Sequence, residues 1–397
     1  MPESPRILHL YTLYYPQGNS IESFISPEIP YLSEAFEKVK IFPKIRIEDE
    51  HDFDLPENVE VVFLDHDNLT IGLFPRLRAI GANLFDRRFL KNALEEASLV
   101  GQTLMRAQSL AEYLEDNEQA IHYSYWFEEW STVLGELFSK KVISGHITRA
   151  HGFDLYDERT KIGYHPYRKL QLRGLKKIYP VSDLGERYLL SRHNKATVAR
   201  SYLGTPDHGM GPLPIGPSLK LVSLARVVPL KRINEMIEIL MNCDSKISWT
   251  HIGDGPDLEE VKDKATELPG NIECEFKGEI AHEEVMDLFR LLGFHLLISL
   301  SESEGVPVSM MEAISFGIPV LSTDVGGVGE IVTGQTGMLV PKKLDHQVIA
   351  TILDEWLLTG MISEEFRSGV RRFWKENFSA EKNYPDFIED LKALHGS

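Results

Sequence analysis

The chain has 397 residues, more than one hydrophobic core organises, which points to two domains. With 43% hydrophobic and 26% charged residues it reads as a soluble globular protein, which excludes disordered and fibrous classes, and a net charge of -18 excludes nucleic acid as its main partner. Two cysteines, Cys243 and Cys274, are too few for a disulfide framework, and the opening residues lack a signal-peptide pattern, so the expected location is cytoplasmic, at most peripheral to the cytoplasmic membrane.

Short runs rich in Val, Ile, Leu and Phe alternate with segments of helical period, the pattern of βα units around a parallel sheet. In chain order RILHLY, KVKIFP and VEVVFL predict strands, with a helix at 28–36 and another at 93–117. AIHYSYW, HITRAH and KIYPVS predict the later strands of this first half. Residues 203–218 read LGTPDHGMGPLPIGPS, a Gly/Pro density that breaks helix and strand and marks a domain boundary. The rhythm then restarts, with strands at LKLVSLA, ISWTHIG, IECEFKG, FHLLISL and IPVLST and helices at 233–240, 258–268, 283–291, 308–316 and from about 346. A closing helical segment at 366–395 is interrupted near 379–385. The predicted division is therefore 1–205, a linker at 206–218, 219–375, and a final segment 376–397.

Two stretches depart from the acidic balance. Residues 161–177 hold six cations and no acid, and both they and the segment around 72–93 can face an anion. The latter joins Arg76, Arg78, Arg87, Arg88 and Lys91 to a series of Leu, Phe and Ile residues, a composition that suits either an anionic membrane surface or a core-packed helix with solvated arginines.

The densest chemistry lies at 301–332, SESEGVPVSMMEAISFGIPVLSTDVGGVGEIV. Glu304 follows a buried strand and Glu312 lies within the next helix, along one approach to the C-terminal edge of the sheet, where ligands bind in open α/β folds. Carboxylates there can accept hydrogen bonds from sugar hydroxyls, although two such residues alone would be an ordinary solvated face. Gly305, Val306, Pro307 and Val308 bring backbone amides to a helix start, which favours an anion. Upstream, SLARVVPLKRINEM puts Arg226 after a strand and Lys231 at the next helix start, a pairing suited to a diphosphate whose charge grows as its bond to a sugar breaks.

Together these strings resemble the family 4 glycosyltransferases of GT-B fold. Their EGxPxxxxEAxxxGxPV frame is matched by Glu304, Gly305, Pro307, Glu312, Ala313, Gly317, Pro319 and Val320. The resemblance implies two Rossmann-like domains facing across a cleft, with the C-terminal helix crossing back to the N-terminal domain. It implies donor-sugar contact for Glu304, ribose contact for Glu312, and the diphosphate for Arg226 and Lys231. HIGDGP and FKGEI are similar to two further landmarks of the family, which adds Gly253, Gly278 and Ile280 to the nucleotide-sugar site. HGFD resembles a segment whose His points at the reacting sugar, so His151 is expected to position and stabilise charge, with Asp154 beside it on the acceptor side.

The opening YYPQGNSIESFISPEIPYL resembles a subgroup common in bacterial surface-polysaccharide assembly, whose strand, short polar loop and helix would put Gln17, Gly18, Asn19 and Ser20 on the acceptor side. The activity so implied is retaining transfer from a UDP- or GDP-sugar to a saccharide or lipid-linked acceptor, with no cofactor or metal required. Asp65-His66-Asp67 after a strand offers the rival reading of a metal-dependent single-domain GT-A enzyme, which the second set of βα units disfavours. A GT-B phosphorylase, an epimerase and a non-catalytic sugar-nucleotide-binding module are the remaining alternatives.

Overall fold

The computed structural model describes residues 7–17, 22–47, 54–64, 93–114, 120–160, 162–193 and 196–394. The chain divides into two compact units, Met1–Ser201 with Pro385–Ser397, and Tyr202–Tyr384.

The first unit is built on β1 (Ile7–Thr12), β2 (Lys38–Pro43), β3 (Val59–Val61), β4 (Ala120–Ser124), β5 (His146–Ala150) and β6 (Leu175–Pro180). They pair in parallel in the order β3-β2-β1-β4-β5-β6. Helices cover this sheet, and β1, β2, β4 and β5 are buried along nearly their whole length, polar residues included. One core cluster joins Tyr11 and Phe42 to Leu110 and to Trp130, Val133, Leu134 and Leu137 of the helix Glu129–Ser139, which sequence periodicity did not single out. A second joins Ala150 and Ile178 to Phe127, Leu155 and Leu189.

A wholly buried arginine ties these elements together. Arg149, on β5, donates from Nε to the Tyr123 hydroxyl at 2.6 Å and from a guanidinium nitrogen to the Ser201 carbonyl at 3.0 Å, and pairs with Glu28 at 3.3 Å. Its guanidinium also lies 4.0 Å from the centre of the Phe387 ring. Burial pushes the Glu28 carboxyl upward against the opposing pull of Arg149. The C-terminal segment belongs to this unit through Phe387, packed on Tyr123 and Tyr179, and through Asp390, which accepts from Lys177 and the Tyr179 hydroxyl.

The second unit holds β7 (Leu219–Leu224), β8 (Ile247–Ile252), β9 (Ile272–Phe276), β10 (Leu296–Ser299), β11 (Val320–Thr323) and β12 (Gly337–Val340), all parallel. Their order, β12-β11-β10-β7-β8-β9, repeats that of the first unit. In each sheet the order reverses between the first and fourth strands, β1 and β4 or β7 and β10, which is where a doubly wound sheet opens a binding crevice. Its core packs Leu219, Leu221, Ile298 and Trp249 against Ile237, Leu240, Leu353 and Trp356.

Two expected boundaries move. Residues 206–218 are not a free linker: the Gly211 amide donates to the Phe316 carbonyl, and the buried guanidinium of Arg367 donates to Gly211 and Gly317 carbonyls, which fastens the segment to the second unit. The closing helices run Glu364–Asn377 and Ala380–Ala393, so the interruption is confined to Phe378 and Ser379, and Pro385 lies inside the second helix. Accordingly the unit boundary falls after Tyr384 and not at 376. Among the described residues no helix is long and apolar enough to cross a membrane.

Candidate functional site

In the second unit the loops that follow β7, β8, β9, β10 and β11 meet at the carboxyl edge of the sheet. Glycine makes the close approach possible. Gly253 has φ +138°, its amide donates to the Gly278 carbonyl at 2.8 Å, and a Cβ there would lie 2.0 Å from the Ala225 carbonyl oxygen. Any side chain at Gly253 would thus drive the loop carrying Arg226 outward. The same logic holds across the sheet, where the Gly327 amide donates to the Gly305 carbonyl and a Cβ on Gly327 would meet that oxygen at 2.7 Å.

These contacts bring the predicted charges together. Lys231 pairs with Glu304 at 2.5 Å, both mostly buried, and the Glu302 amide donates to the Leu230 carbonyl at 2.9 Å, which locks the two loops in register. Arg226 is exposed and makes no ion pair with a described residue. A narrow pocket lined by Ser223, Ala225, Lys231, Ile298 and Ser299 opens between the ends of β7 and β10. Beneath it Trp249 Nε1 donates to Ser223 Oγ at 2.9 Å, and Ser223 Oγ lies 2.8 Å from His251 Nδ1. Burial lowers His251 to about 4, so it is neutral at ordinary pH. Sequence reading placed His251 in the strand ISWTHIG and the motif HIGDGP but gave it no role, and so missed this support.

Val306, Pro307 and Val308 open the helix Val308–Ser315, whose first-turn amides have no partner within the helix. Glu312 sits inside it, 7% exposed, and its Oε1 accepts from His282 Nε2 at 2.7 Å. No sequence motif had singled out His282. Gly278 has φ +68° and open space around it, so glycine there answers to backbone conformation, and Ile280 is half-buried nearby in the chain.

The first unit builds a different edge. His151 follows β5 and is held by Asp154, which is wholly buried. The Asp154 carboxylate accepts from the amides of Phe127 (3.0 Å), His151 (2.9 Å) and Gly152 (2.8 Å) and faces His151 Nδ1 at 3.5 Å. Burial pushes Asp154 upward, but His151 and these amides outweigh it and hold the carboxyl below its ordinary range. The imidazole lies 4.4 Å from the Trp126 ring centre and is stacked on Tyr125 at 5.0 Å. Its Nε2 takes no hydrogen bond from a described residue. Trp126 Nε1 in turn donates to Glu22, whose carboxylate also accepts the amides of Tyr14 and Tyr15 at 2.7 Å. Glu22, missed in the sequence, thereby fixes the loop after β1.

Other expectations fare differently. Gln17 turns inward, donating to the Tyr14 and Ile45 carbonyls and accepting the Ile47 amide, so it braces the loop instead of facing a ligand. The cations of 161–177 are partly internal as well: buried Arg168 donates to the Phe127 and Asp154 carbonyls, and Lys177 pairs with Asp390. Gly18, Asn19, Ser20, Asp65, Asp67 and the cationic segment as far as residue 92 lie outside the described residues. Among the described residues no group of three His, Cys, Asp or Glu side chains is gathered as for a metal ion.

Residues 213–373 match the family described as glycosyl transferases group 1. The chain is similar to the putative colanic acid biosynthesis glycosyltransferase WcaL of Salmonella typhimurium, 30% identical over 230 residues that cover 54% of this chain and 56% of that one. It is also similar to the putative teichuronic acid biosynthesis glycosyltransferase TuaC of Bacillus subtilis, 28% identical over 174 residues covering 44% and 40%. The chain thus spans about half the length of the curated relatives it matches. Among solved structures, sucrose-phosphate synthase of Thermosynechococcus elongatus superposes with a TM-score of 0.73 at 15% identity, covering 98% of this chain and 99% of that one. HepE of Anabaena in complex with UDP gives 0.69 at 16% identity, covering 98% and 100%. The lipopolysaccharide outer core galactosyltransferase WaaB gives 0.69 at 14% identity, covering 97% and 98%. The chain therefore has the GT-B fold, and its residues 213–373 carry the match to the group 1 glycosyl transferases.

Proposed function

We propose that the chain is a glycosyltransferase that moves a sugar, with retention of anomeric configuration, from a UDP- or GDP-sugar to a saccharide or lipid-linked acceptor in surface-polysaccharide synthesis. The observation that carries this reading is the pairing of Lys231 with Glu304 at the β7/β10 reversal, inside the residues that match the group 1 glycosyl transferases. On this reading Lys231 and Arg226 neutralise the departing diphosphate, Glu304 takes donor-sugar hydroxyls, and Glu312 takes the ribose. Gly253, Gly278, Ile280 and the turn Gly305–Val308 shape the nucleotide's seat. His151, held by Asp154, stabilises charge on the transferred sugar, while the leaving phosphate takes the acceptor's proton.

The biosynthetic setting rests on the colanic and teichuronic acid relatives, and the donor class on structures such as HepE, solved with UDP and with UDP-glucose. A thermal-shift screen against UDP-, GDP- and ADP-sugars tests the reading: stabilisation by one nucleotide class supports it, and none by any sugar nucleotide removes it. Transfer is proposed to need no metal and so to survive EDTA. We place the enzyme in the cytoplasm, with residues 72–93 as its contact to an anionic membrane, a contact checked by liposome sedimentation at low and high salt.

A further inference from the structure

We infer that His282 is a positioning residue for the nucleotide site: it holds the Glu312 carboxylate by Oε1 and leaves Oε2 turned to the ribose diol. The inference deepens the function proposed above and rests on its assignment of Glu312 to the ribose.

Three observations carry it. First, His282 begins the helix His282–Leu291 while Glu312 lies on Val308–Ser315, so the 2.7 Å hydrogen bond joins two elements at one fixed distance. Second, the two carboxylate oxygens of Glu312 differ. Oε1 accepts from His282, whereas Oε2 accepts from no described residue and is not among the buried oxygens lacking a partner. A carboxylate with both oxygens engaged by protein would have fewer lone pairs left for a diol, and one with neither engaged would be free to rotate. Third, the surroundings favour a proton on His282. The bond to Glu312 raises its pKa against the opposing effect of burial, and the charges of Glu312 and Glu283 raise it further. The neighbouring His208, stacked on Phe316 at 5.6 Å, is shifted the other way by burial and by the charges of Arg290 and His282. Of the two imidazoles His282 is therefore the one whose surroundings favour the charged form, and an imidazolium makes a stronger hydrogen bond to a carboxylate than a neutral donor does.

The consequence is specific. As pH rises through the raised pKa of His282, the charge on the donor is lost, the grip on Glu312 weakens, and the advantage of ribose over deoxyribose shrinks. Comparing a nucleoside diphosphate with its 2′-deoxy form isolates this effect, because their phosphates titrate alike.

The experiment is calorimetry of UDP and 2′-deoxy-UDP, or of the guanine pair if the screen selects it, between pH 6 and pH 9. It uses the full chain as wild type, His282→Gln, His282→Ala and Glu312→Ala. In wild type the ratio of UDP to 2′-deoxy-UDP affinity should fall about fivefold over this range, the difference between a charged and a neutral hydrogen-bond donor. His282→Gln, neutral at every pH, should retain part of the ratio and show no pH dependence. His282→Ala should lose on the order of tenfold of UDP affinity at pH 6 and little for the deoxy form. If Glu312→Ala loses its preference for UDP but His282→Ala and His282→Gln keep the wild-type ratio and slope, the inference is overturned and the proposed function stands. If Glu312→Ala binds UDP as wild type does, the ribose assignment fails and the inference falls with it. Should His282→Ala not fold, the wild-type slope and its absence in His282→Gln decide the matter.

Discussion

The two sheets share one strand order and yet finish their carboxyl edges in opposite ways. In the second unit the edge is drawn together by glycine backbones, Gly253 against Ala225 and Gly327 against Gly305, and charged side chains stand on the loops so gathered. In the first unit the edge is aromatic, with Tyr125 and Trp126 enclosing His151 and a buried carboxylate, Asp154, drawing three amides around it. Backbone amides and paired charges suit a nucleotide diphosphate. An imidazole fixed among aromatic rings suits a neutral sugar undergoing reaction. Topology is thus common to both halves, and the division of labour lies in what each sequence places after its strands.

The largest effect that would break this comparison is expected at the charged edge. Lys231→Ala and Arg226→Ala should each lower kcat by about 10²–10³-fold while leaving the fold intact, as removal of one preorganised charge-stabilising group does elsewhere. Steady-state kinetics with the selected donor checks this, and wild-type turnover in either variant contradicts it. At the aromatic edge Asp154→Asn should reduce kcat by about 10²-fold through misplacement of His151, with nucleotide affinity unchanged. A matching loss of nucleotide affinity would show that the two edges are not specialised.

The backbone comparison is sharpened by Gly253→Ala. A Cβ 2.0 Å from the Ala225 oxygen, on a residue with φ +138°, should cost about 1–3 kcal/mol of stability and weaken nucleotide binding. Denaturant unfolding and calorimetry measure the two effects separately.

The smallest expected effect is one the halves should share. His146 in the first unit and His251 in the second are both buried, and burial lowers each to about 4. Unfolded, they would titrate near their ordinary value, so between about 6.5 and 4 the unfolded chain binds more protons and acid favours unfolding. Each should therefore remove up to about 2 kcal/mol of stability on going from neutral pH to pH 5. Melting temperatures of His146→Asn and His251→Asn should fall less steeply with acid than that of wild type, and parallel curves would contradict the assignment.

The same contrast explains what could be read from the sequence. The second edge was legible because its parts are local: glycines at the turns they permit, Glu304 and Glu312 in one string, Arg226 and Lys231 in another. Strands such as Lys38–Pro43 and the helix Ile233–Leu240 were equally plain from their period. What escaped depends on contacts between distant residues. His282 meets Glu312 across 30 positions, and Glu22 meets Trp126 across 104, so neither has a signal in spacing. Gln17 and Arg168 read as exposed polar residues, because burial of a polar side chain is set by the carbonyls that fold toward it. The short strand Gly337–Val340 was missed because it opens on a glycine and holds one β-branched residue, Val340, so its composition carries little strand signal.

The central claim, that the second unit binds the nucleotide and the first serves the transfer, is tested most directly by titrating UDP and GDP into Glu312→Ala and His151→Ala and measuring turnover of both. The account predicts that Glu312→Ala loses affinity for the free nucleotide, whereas His151→Ala binds it as wild type does and loses turnover. Wild-type nucleotide affinity in Glu312→Ala together with weakened affinity in His151→Ala would contradict it.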